Sequence, residues 1–344
     1  MKAMILAGGM STRLYPLTKQ VPKPLVPVAG EPNSAHVLRY LRSYGIAEVA
    51  INVHYLAEKI VEAFGDGSRY GVHLEYLHEP VLMGSAGGVK QLESYLRGET
   101  FVVVGCDGLT DIDLRRLLAF HRERGALATI GLVHAEDVTQ FGVVVLDDRG
   151  RIVEFQEKPA AGTERSHLVN TGIYVFEPEI FDRIPAGEFF DFGKQVFPGL
   201  QAEAAPFYGL EMTGAYWRDI GTPGEYREAS ADVLAGRIAP AGVRRTGVPP
   251  SARVAPDARI EGDVRVGERA SIGAGARIVG PSVIGDDVRV GDGAVLERAI
   301  VWDRATIGAH ATLVDTIVGI DYEVAAHARL DAAVVANDRA PVAG

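Results

Sequence analysis

The sequence has a single cysteine, Cys106, and no long apolar run. One cysteine excludes a disulfide within the chain, which fits a reducing compartment. No segment approaches the ~18 consecutive apolar residues of a membrane span. The residues before Gly8 lack the apolar core of a secretory signal. We therefore expect a cytoplasmic protein with no membrane partner.

Acidic residues are scarce in one part of an otherwise acidic chain. The formal net charge is −10, which argues against a nucleic-acid partner, because nonspecific binding to DNA or RNA needs a basic surface. Residues 1–30 nevertheless contain no Asp or Glu and carry Lys2, Arg13, Lys19 and Lys23. This segment is predicted to surround an anion-binding site.

Apolar runs alternate with amphipathic patterns up to about residue 230. Runs at 2–6, 49–53, 101–104 and 127–133 predict strands, and patterns at 34–44, 57–64 and 114–124 predict helices. This order is typical of an α/β fold with a Rossmann-like, mixed and mostly parallel sheet. Such sheets bind ligands at the carboxyl ends of their strands, so we expect chemistry directly after Leu6 and after Val104.

A six-residue period replaces this pattern after residue 250. The aliphatic positions are Val254, Ile260, Val266, Ile272, Ile278, Ile284, Val290 and Leu296, and after a shift of one residue Val301, Ile307 and Leu313. A repeated aliphatic hexad predicts a left-handed parallel β-helix. Residues 236–250 are rich in Gly, Pro and Arg. We therefore predict a catalytic domain at 1–235, a linker at 236–250 and the β-helix at 251–335.

A glycine-rich turn follows the first predicted strand, in the sequence AGGMSTRL at 7–14. Its backbone N–H groups can approach phosphates closely. The spacing matches neither a Walker A loop nor the dinucleotide fingerprint. Further on, Pro22 and Pro24 flank Lys23. We expect the prolines to hold Lys23 in an extended loop with its ammonium in a fixed direction, and not as a solvated lysine.

These two segments, AGGMSTRLYPLT and VPKPLVPV, resemble the signature of the sugar-1-phosphate nucleotidyltransferases. The likeness continues through GSAG at 84–87, FQEKP at 155–159, NTGIYVF at 170–176 and WRDIGTPGEY at 217–226. It is closest overall to the mannose-1-phosphate guanylyltransferases, and a hexapeptide tail occurs in many members. The family usually has Gly at position 11, Thr at 85 and Ala at 171. These departures remove no charged group and bear only on the sugar and the base.

The resemblance implies that a nucleoside triphosphate and a sugar-1-phosphate react to give an NDP-sugar and pyrophosphate. A phosphate monoester is largely deprotonated at pH 7, so no general base is required. By resemblance, Arg13 would bind the β- and γ-phosphates, Lys23 the α-phosphate and Lys158 the sugar phosphate. Asp107 and Asp219 would hold Mg²⁺. Asp107 could instead be a helix-capping or turn aspartate, and Asp111 or Asp113 could be the true cap.

Two binding regions are implied in the same way. The nucleotide region comprises Ala7, Gly8, Gly9, Ser11, Thr12, Arg13, Glu79, Gly84, Ser85 and Ala86, and the sugar region Gly142, Glu157, Lys158, Asn170 and Thr171. Glu79 offers two acceptors, which match the adjacent donors of guanine. We therefore expect GTP as the donor, and the resemblance to the mannose-1-phosphate guanylyltransferases implies mannose-1-phosphate as the acceptor. A solvated position for Glu79, a surface hairpin position for Glu157, and glucose-1-phosphate with UTP, dTTP or ATP stay open.

Two other functions remain alternatives at this point. His310 and His327 lie in the repeat and leave open an acyltransferase activity added to the nucleotidyl domain. A sensor of nucleotide sugars without catalysis is the other. We expect the β-helix to mediate homo-oligomer formation, because solenoid faces stack well. Cys106 has no histidine nearby in sequence and is predicted to be a small residue packed at a strand end.

Overall fold

The computed structural model describes residues 1–337. They group into two compact units. The first, here called the sheet unit, contains residues 1–9 and 37–217. The second, the β-helix unit, contains residues 10–36 and the chain from Arg218 onward. The signature segment with Arg13 and Lys23 thus groups with the C-terminal part of the chain. The domain bounds predicted above, 1–235 and 251–335 with a linker at 236–250, refer to parts of the chain that fold separately. They stay a prediction.

The predicted alternation of strands and helices is confirmed, and the helices at 57–64 and 114–124 have the predicted bounds. The strands up to residue 219 are β1 (Lys2–Leu6), β2 (Pro27–Val28), β3 (Glu31–Pro32), β4 (Glu48–Val53), β5 (His73–His78), β6 (Phe101–Gly105), β7 (Gly108–Thr110), β8 (Ala128–His134), β9 (Gly142–Leu146), β10 (Ile152–Glu157), β11 (Leu168–Phe176), β12 (Phe207–Glu211) and β13 (Trp217–Asp219). The α-helices are α1 (Asn33–Ser43), α2 (Ala57–Phe64), α3 (Gly84–Gln91), α4 (Glu93–Leu96), α5 (Leu114–Arg124), α6 (Phe197–Ala202) and α7 (Pro223–Ala235). Short 3₁₀ turns cover Thr12–Leu14, Leu17–Lys19, Lys23–Leu25, Ser68–Tyr70 and Pro178–Arg183, and a π-helical turn covers Phe192–Val196.

The sheet unit is built on one mixed sheet of nine strands. Its main path runs β10-β9-β11-β6-β1-β4-β5, and β8 pairs with both β11 and β12. β1 is parallel to β4 and to β6, and β4 is parallel to β5, whereas β11 is antiparallel to β6. This confirms the predicted Rossmann-like sheet. Because β1, β5 and β6 run in one direction, Ala7, Glu79 and Asp107 all follow the same edge of the sheet.

An aromatic cluster fills the core on one side of this sheet. The rings of Phe176 and Phe192 stack with centroids 5.0 Å apart, and Phe192 also stacks on Phe197 at 5.6 Å. All three side chains are almost fully buried. Large buried rings dominate core energetics, so this cluster fixes the segment around Asp191, whose contacts with the candidate site are described below.

The hexad repeat forms a left-handed parallel β-helix, as predicted. Its strands are β14 (Arg253–Val254), β15 (Arg259–Glu261), β16 (Val264–Val266), β17 (Ser271–Ile272), β18 (Arg277–Val279), β19 (Ser282–Ile284), β20 (Arg289–Val290), β21 (Val295–Glu297), β22 (Ile300–Val301), β23 (Thr306–Ile307), β24 (Thr312–Val314), β25 (Ile317–Val318), β26 (Glu323–Val324), β27 (Arg329–Asp331) and β28 (Val334–Val335). They form three parallel sheets of five strands, which begin with β14, β15 and β16 and are called the first, second and third sheets.

The shift in the hexad register is a shortening of the coil. Arg269 pairs with Asp287, 18 residues on, whereas Arg304 pairs with Asp321, 17 residues on. The shorter coils turn at Arg298, Asp315 and Ala332, all with positive φ. Arg298 holds Asp315 with two hydrogen bonds of 2.8 and 2.7 Å. The repeat therefore continues through the shift without losing its stacking.

Candidate active site

The glycine turn after β1 is held by a buried hydrogen-bond chain. The amide of Ala7 donates to Oδ1 of Asn52 at 2.8 Å, and Nδ2 of Asn52 donates to Oε2 of Glu79 at 2.5 Å. A Cβ on Gly8 would lie 2.9 Å from Nδ2 of Asn52 and 3.2 Å from Oε2 of Glu79. Glycine is therefore required at position 8 by close approach. A Cβ on Gly9 would have no heavy atom of the described residues within 4 Å.

The two carboxylate oxygens of Glu79 are occupied by protein donors. Oε1 accepts from the amide of Met83 at 3.3 Å and from the Gln91 side chain at 3.2 Å, while Oε2 accepts from Asn52. Glu79 is only 3% exposed. The alternative of a solvated loop carboxylate is therefore wrong. Asn52, Met83 and Gln91 take three of the about four lone-pair sites of this carboxylate, so the geometry weakens the argument for guanine.

The GSAG segment begins helix α3, and its polar groups bind the segment at 190–192. Gly84 has a φ of +78°, and a Cβ there would lie 2.4 Å from the Phe190 carbonyl oxygen. That carbonyl accepts from the amides of Ala86 and Gly87 at 3.0 and 2.9 Å. The Ser85 hydroxyl donates to Asp191 and accepts from the amide of Phe192, each at 2.9 Å. These groups of Ser85 and Ala86 thus have protein partners, and a part for the two residues in binding a nucleotide stays a prediction.

Lys23 and Asp219 come together in the β-helix unit. Pro22 is extended, with φ −64° and ψ 150°, and Lys23 begins a 3₁₀ turn closed by the amide of Val26 on its carbonyl at 3.1 Å. The expected extended loop is therefore wrong at Lys23 itself, since a turn starts there. Nζ of Lys23 lies 3.4 Å from Oδ1 of Asp219, and Lys23 is 7% exposed. The alternative of a solvated lysine is wrong.

Arg13 approaches the other oxygen of the same carboxylate. Its Nη2 lies 3.9 Å from Oδ2 of Asp219. The turn Thr12–Leu14 that carries Arg13 follows Ser11, which has a φ of 52°, and the Ser11 carbonyl accepts from the amide of Leu14 at 3.1 Å. The left-handed conformation explains why the resembling family usually has glycine at position 11. Two cations thus converge on one carboxylate.

An ion-pair network centred on the buried Asp232 lies beside Asp219, and the sequence alone did not reveal it. Asp232 is 2% exposed and accepts from Nε of Arg218 at 3.1 Å and from Nε of Arg237. Arg218 also pairs with Glu225 at 2.5 Å. Because Arg218 precedes Asp219 directly, this network fixes the backbone that presents Asp219. The sequence signal for this network was Asp232, a carboxylate on the buried face of α7 that also carries Tyr226 and Ala229.

Asp107 follows β6 in the sheet unit, at the carboxyl edge. A Cβ on Gly105 would lie 2.6 Å from Oδ1 of Asp107, so the side chain folds back over a glycine. Asp107 does not cap α5, because Asp113 does so by accepting from the amide of Arg115 at 2.9 Å, but Asp107 does lie in a turn. Cys106 is buried and its amide donates to the Leu6 carbonyl at 3.1 Å, which confirms its packing role.

Glu157 ends strand β10 opposite Gly142. A Cβ would lie 3.3 Å from Oε2 of Glu157 if placed on Gly142, and 2.6 Å if placed on Gly193. Burial raises the pKa of the Glu157 carboxyl, and the charge of Lys158 opposes this shift. Lys158 is exposed, has a φ of 49°, and places Nζ 3.9 Å from Oε1 of Glu157. The hairpin alternative correctly describes the chain at Glu157, but the carboxyl is partly enclosed.

Asn170 and Thr171 have protein partners at the groups expected to bind sugar. Asn170 donates to the Tyr174 hydroxyl and accepts from the amide of Gly172, each at 2.9 Å. The Thr171 hydroxyl donates to the Gly131 carbonyl at 2.7 Å, and the Thr171 carbonyl accepts from the indole of Trp217 at 2.9 Å. A part for Asn170 and Thr171 in a sugar pocket stays a prediction.

No cluster of three or more His, Cys, Asp or Glu side chains suited to a metal occurs within residues 1–337. His310 and His327 instead stack at one corner of the β-helix, with ring centroids 5.2 Å apart and planes 16° apart. Both have positive φ and both are exposed. This is the geometry of a corner ladder. In the same described range, no helix is long and apolar enough to cross a membrane.

The lysine and the arginine gathered on Asp219 form an arrangement that suits the phosphate groups of a nucleotide. Residues 2–236 match the model of the family described as Nucleotidyl transferase. The chain belongs to this nucleotidyl transferase family. Residues 260–343 match a second model, described as the GMPPB C-terminal domain.

Similar proteins include two curated enzymes. The chain is 40% identical to a UTP–glucose-1-phosphate uridylyltransferase of Synechocystis, over 92% of this chain and 87% of that protein. It is 39% identical to a mannose-1-phosphate guanylyltransferase of Mycobacterium tuberculosis, over 86% and 83%. Among solved structures, one from Bacillus anthracis, assigned as a glucose-1-phosphate thymidylyltransferase in complex with sucrose, is 26% identical. Its TM-score is 0.61, covering 67% of this chain and 94% of that one.

Proposed function

We propose that this protein transfers a nucleoside monophosphate from a nucleoside triphosphate to a sugar-1-phosphate and releases pyrophosphate. The observation that carries the proposal is the enclosed Lys23, held 3.4 Å from Asp219 with Arg13 on the same carboxylate. Two polyanions must meet in this reaction, so fixed cations are the main requirement. Family membership over residues 2–236 supports the same reaction class.

In the proposed reaction, an oxygen of the sugar phosphate attacks the α-phosphorus. The bond from the α-phosphorus to the oxygen that bridges the α- and β-phosphates breaks, and pyrophosphate leaves with the electron pair. The attacking phosphate is already largely deprotonated at pH 7, so no side chain has to remove a proton. The chain's own contribution is to orient and neutralise. Lys23 and Arg13 would bind the triphosphate, and Lys158 the sugar phosphate.

Asp107 and Asp219 fit a magnesium ion by their chemistry. Each offers carboxylate oxygens, the ligands that Mg²⁺ prefers. Each also lies against a glycine that leaves space, because a Cβ on Gly105 or Gly221 would lie 2.6 or 2.5 Å from its oxygen. When bound, the ion would neutralise charge on the triphosphate. Both residues stay proposed ligands.

We propose GTP and mannose-1-phosphate as the substrates. Support comes from the match of residues 260–343 to the GMPPB C-terminal domain and from the mycobacterial guanylyltransferase. UTP with glucose-1-phosphate is the second candidate, favoured by the Synechocystis uridylyltransferase at 40% identity. Glu79 gives no preference between them, because its oxygens bind Asn52, Met83 and Gln91.

Pyrophosphate release with Mg²⁺ tests the proposal across GTP, UTP, ATP and dTTP, each with mannose-1-phosphate and glucose-1-phosphate. We expect turnover with GTP and mannose-1-phosphate, abolished by Asp107→Asn and retained by the exposed control Asp148→Asn. Fastest turnover with UTP and glucose-1-phosphate would replace the substrates but keep the reaction. No turnover in any combination would overturn the reaction itself. A cytoplasmic location and a homo-oligomer built through the β-helix remain predictions.

A further inference from the structure

The third sheet of the β-helix has a buried outer surface. Side chains alternate between the two faces of a strand, so the residue before each inward aliphatic points outward. In the third sheet this outward column is Arg265, Val283, Ile300, Ile317 and Val334. Its first four members are at most 8% exposed. In the first and second sheets the same column carries exposed charges, including Arg253, Arg289, Glu323, Arg259, Arg277 and Arg329.

Helix α7 and the signature segment, both in the β-helix unit, cover this column. Val283 and Ile300 line a small cavity with Arg227 and Leu234 of α7. Val334 lines another cavity with Tyr15 of the signature segment. Apolar side chains cover the outer face of a β-helix only where something packs on it. The third sheet is therefore a platform for the signature segment, which carries Lys23, and for α7, which follows Asp219 in the chain.

A buried hydrogen-bond relay connects the β-helix to the Lys23 turn. The indole N–H of Trp302, which follows β22, donates to the Tyr226 hydroxyl at 2.8 Å. Tyr226 in turn donates to the carbonyl of Pro27 at 2.6 Å. Tyr226 is fully buried and Trp302 is 3% exposed. Pro27 begins β2, which follows the turn of Lys23 directly, and Tyr226 lies in the helix that follows Asp219.

A second contact holds the hairpin of β2 and β3. Its turn residues Ala29 and Gly30 both have positive φ, 49° and 78°. A Cβ on Gly30 would lie 1.9 Å from Nη1 of Arg265, so the buried guanidinium of the β-helix lies directly on the turn. The segment after Lys23 is thus held at two points, Pro27 and Gly30, by residues that the β-helix supplies or supports.

We propose that the β-helix positions the parts of this unit that carry Lys23 and Asp219, and that Tyr226 and Trp302 are positioning residues for these two side chains. This inference rests on the proposed function for its kinetic consequence, but the positioning itself can be measured without it. The β-helix then contributes to the reaction of the same chain, in addition to any role in oligomer formation.

The test uses Tyr226→Phe and Trp302→Phe in the full chain, since each keeps a ring. Trp302→Phe removes the first hydrogen bond of the relay, and Tyr226→Phe removes both, including the one to Pro27. The matched control is Tyr40→Phe, because Tyr40 also donates to a backbone carbonyl, that of Ile112 at 2.7 Å, within the sheet unit. The first readout is hydrogen exchange of the amides of Leu25 and Val26, which close the Lys23 turn. We expect both relay variants to speed exchange there roughly 3- to 10-fold, the effect of one lost buried hydrogen bond, and the control to leave it unchanged.

The second readout is steady-state kinetics with thermal midpoints measured beside it. We expect kcat to fall, or KM for the triphosphate to rise, about 10-fold, with KM for the sugar phosphate unchanged and midpoints close to that of the control variant. Unchanged exchange at Leu25 and Val26 in both relay variants would overturn the inference whatever the activity. A wild-type chain without turnover but with the faster exchange in the variants would overturn the proposed function and leave the positioning supported.

Discussion

The ammonium of Lys23 and the carboxylate of Asp219 lie 3.4 Å apart although 196 positions separate them in the chain. Both side chains are mostly enclosed, at 8% and 16% exposed. Burial of an ion pair costs desolvation free energy, so it is weak evidence for stability. Paired charges kept in an enclosed position are better explained by chemistry that needs them there.

Replacing Lys23 by methionine tests this explanation. Lys23→Met keeps the length of the side chain and removes its charge. We expect kcat to fall by about 10²–10³-fold, the cost of losing one preorganised donor to a developing charge. Lys59→Met, at an exposed position of α2, is the control and should keep wild-type turnover. An active Lys23→Met enzyme would show that this lysine does not contact the reacting phosphate.

Glu79 is expected to organise the glycine turn and not to read the base. Glu79→Gln replaces an acceptor by an N–H₂ group among the donors of Asn52, Met83 and Gln91. The free energy of unfolding should fall by about 1–3 kcal/mol, and KM for the triphosphate should rise equally for GTP and UTP. Urea unfolding and KM measure the two effects, with exposed Glu75→Gln as control. A changed base preference at unchanged stability would restore Glu79 as a base-reading residue.

The pH dependence of stability should carry a contribution from Glu157. Burial raises its pKa above the ordinary value of 4.5, so the folded state holds this proton more tightly than the unfolded chain. The contribution is complete below 4.5 and is lost as pH rises through the folded pKa. We therefore expect Glu157→Gln to be more stable than wild type at pH 7 and to lose this advantage below pH 4.5. Thermal midpoints across this range measure it, and an advantage independent of pH would contradict the assignment.

Ser11→Gly should stabilise the signature segment. Ser11 has a φ of 52°, and a non-glycine residue in this region carries a strain of about 1 kcal/mol. The variant should gain up to about that amount in unfolding free energy. The KM for the triphosphate tests a second prediction independently of stability, namely that Ser11 binds the nucleotide. An unchanged KM would show that the hydroxyl makes no contact with it, and an unchanged or lower stability would contradict the strain.

Local patterns in the sequence predicted most of the fold. The helix over Ala57–Phe64 follows from its apolar spacing, and the β-helix follows from aliphatics such as Ile278 and Ile284 at every sixth position. The outer platform of the third sheet was also readable, because Val283, Ile300 and Ile317 are apolar one residue before the inward aliphatic. The inward column alone predicts the repeat, whereas this second column predicts a surface on which something packs.

Partners far apart in sequence explain what the residues alone did not show. Glu79 is held by Asn52 from β4 and by Gln91 from α3, two partners that its position in the sequence does not reveal. Ser85 is occupied because Asp191 and Phe192 fold over it, 106 and 107 positions away. A motif gives the identity of a side chain, but the number of its free lone pairs depends on which strands and helices pack beside it.

The origin of the bridging oxygen in the product tests the central claim most directly. The purified chain is incubated with Mg²⁺, a nucleoside triphosphate and a sugar-1-phosphate whose non-bridging phosphate oxygens carry ¹⁸O. The masses of the products are then determined by mass spectrometry. If the sugar phosphate attacks the α-phosphorus, all of the label stays in the NDP-sugar and the pyrophosphate carries none. Label in the pyrophosphate or in water, or the absence of any NDP-sugar, would contradict the account.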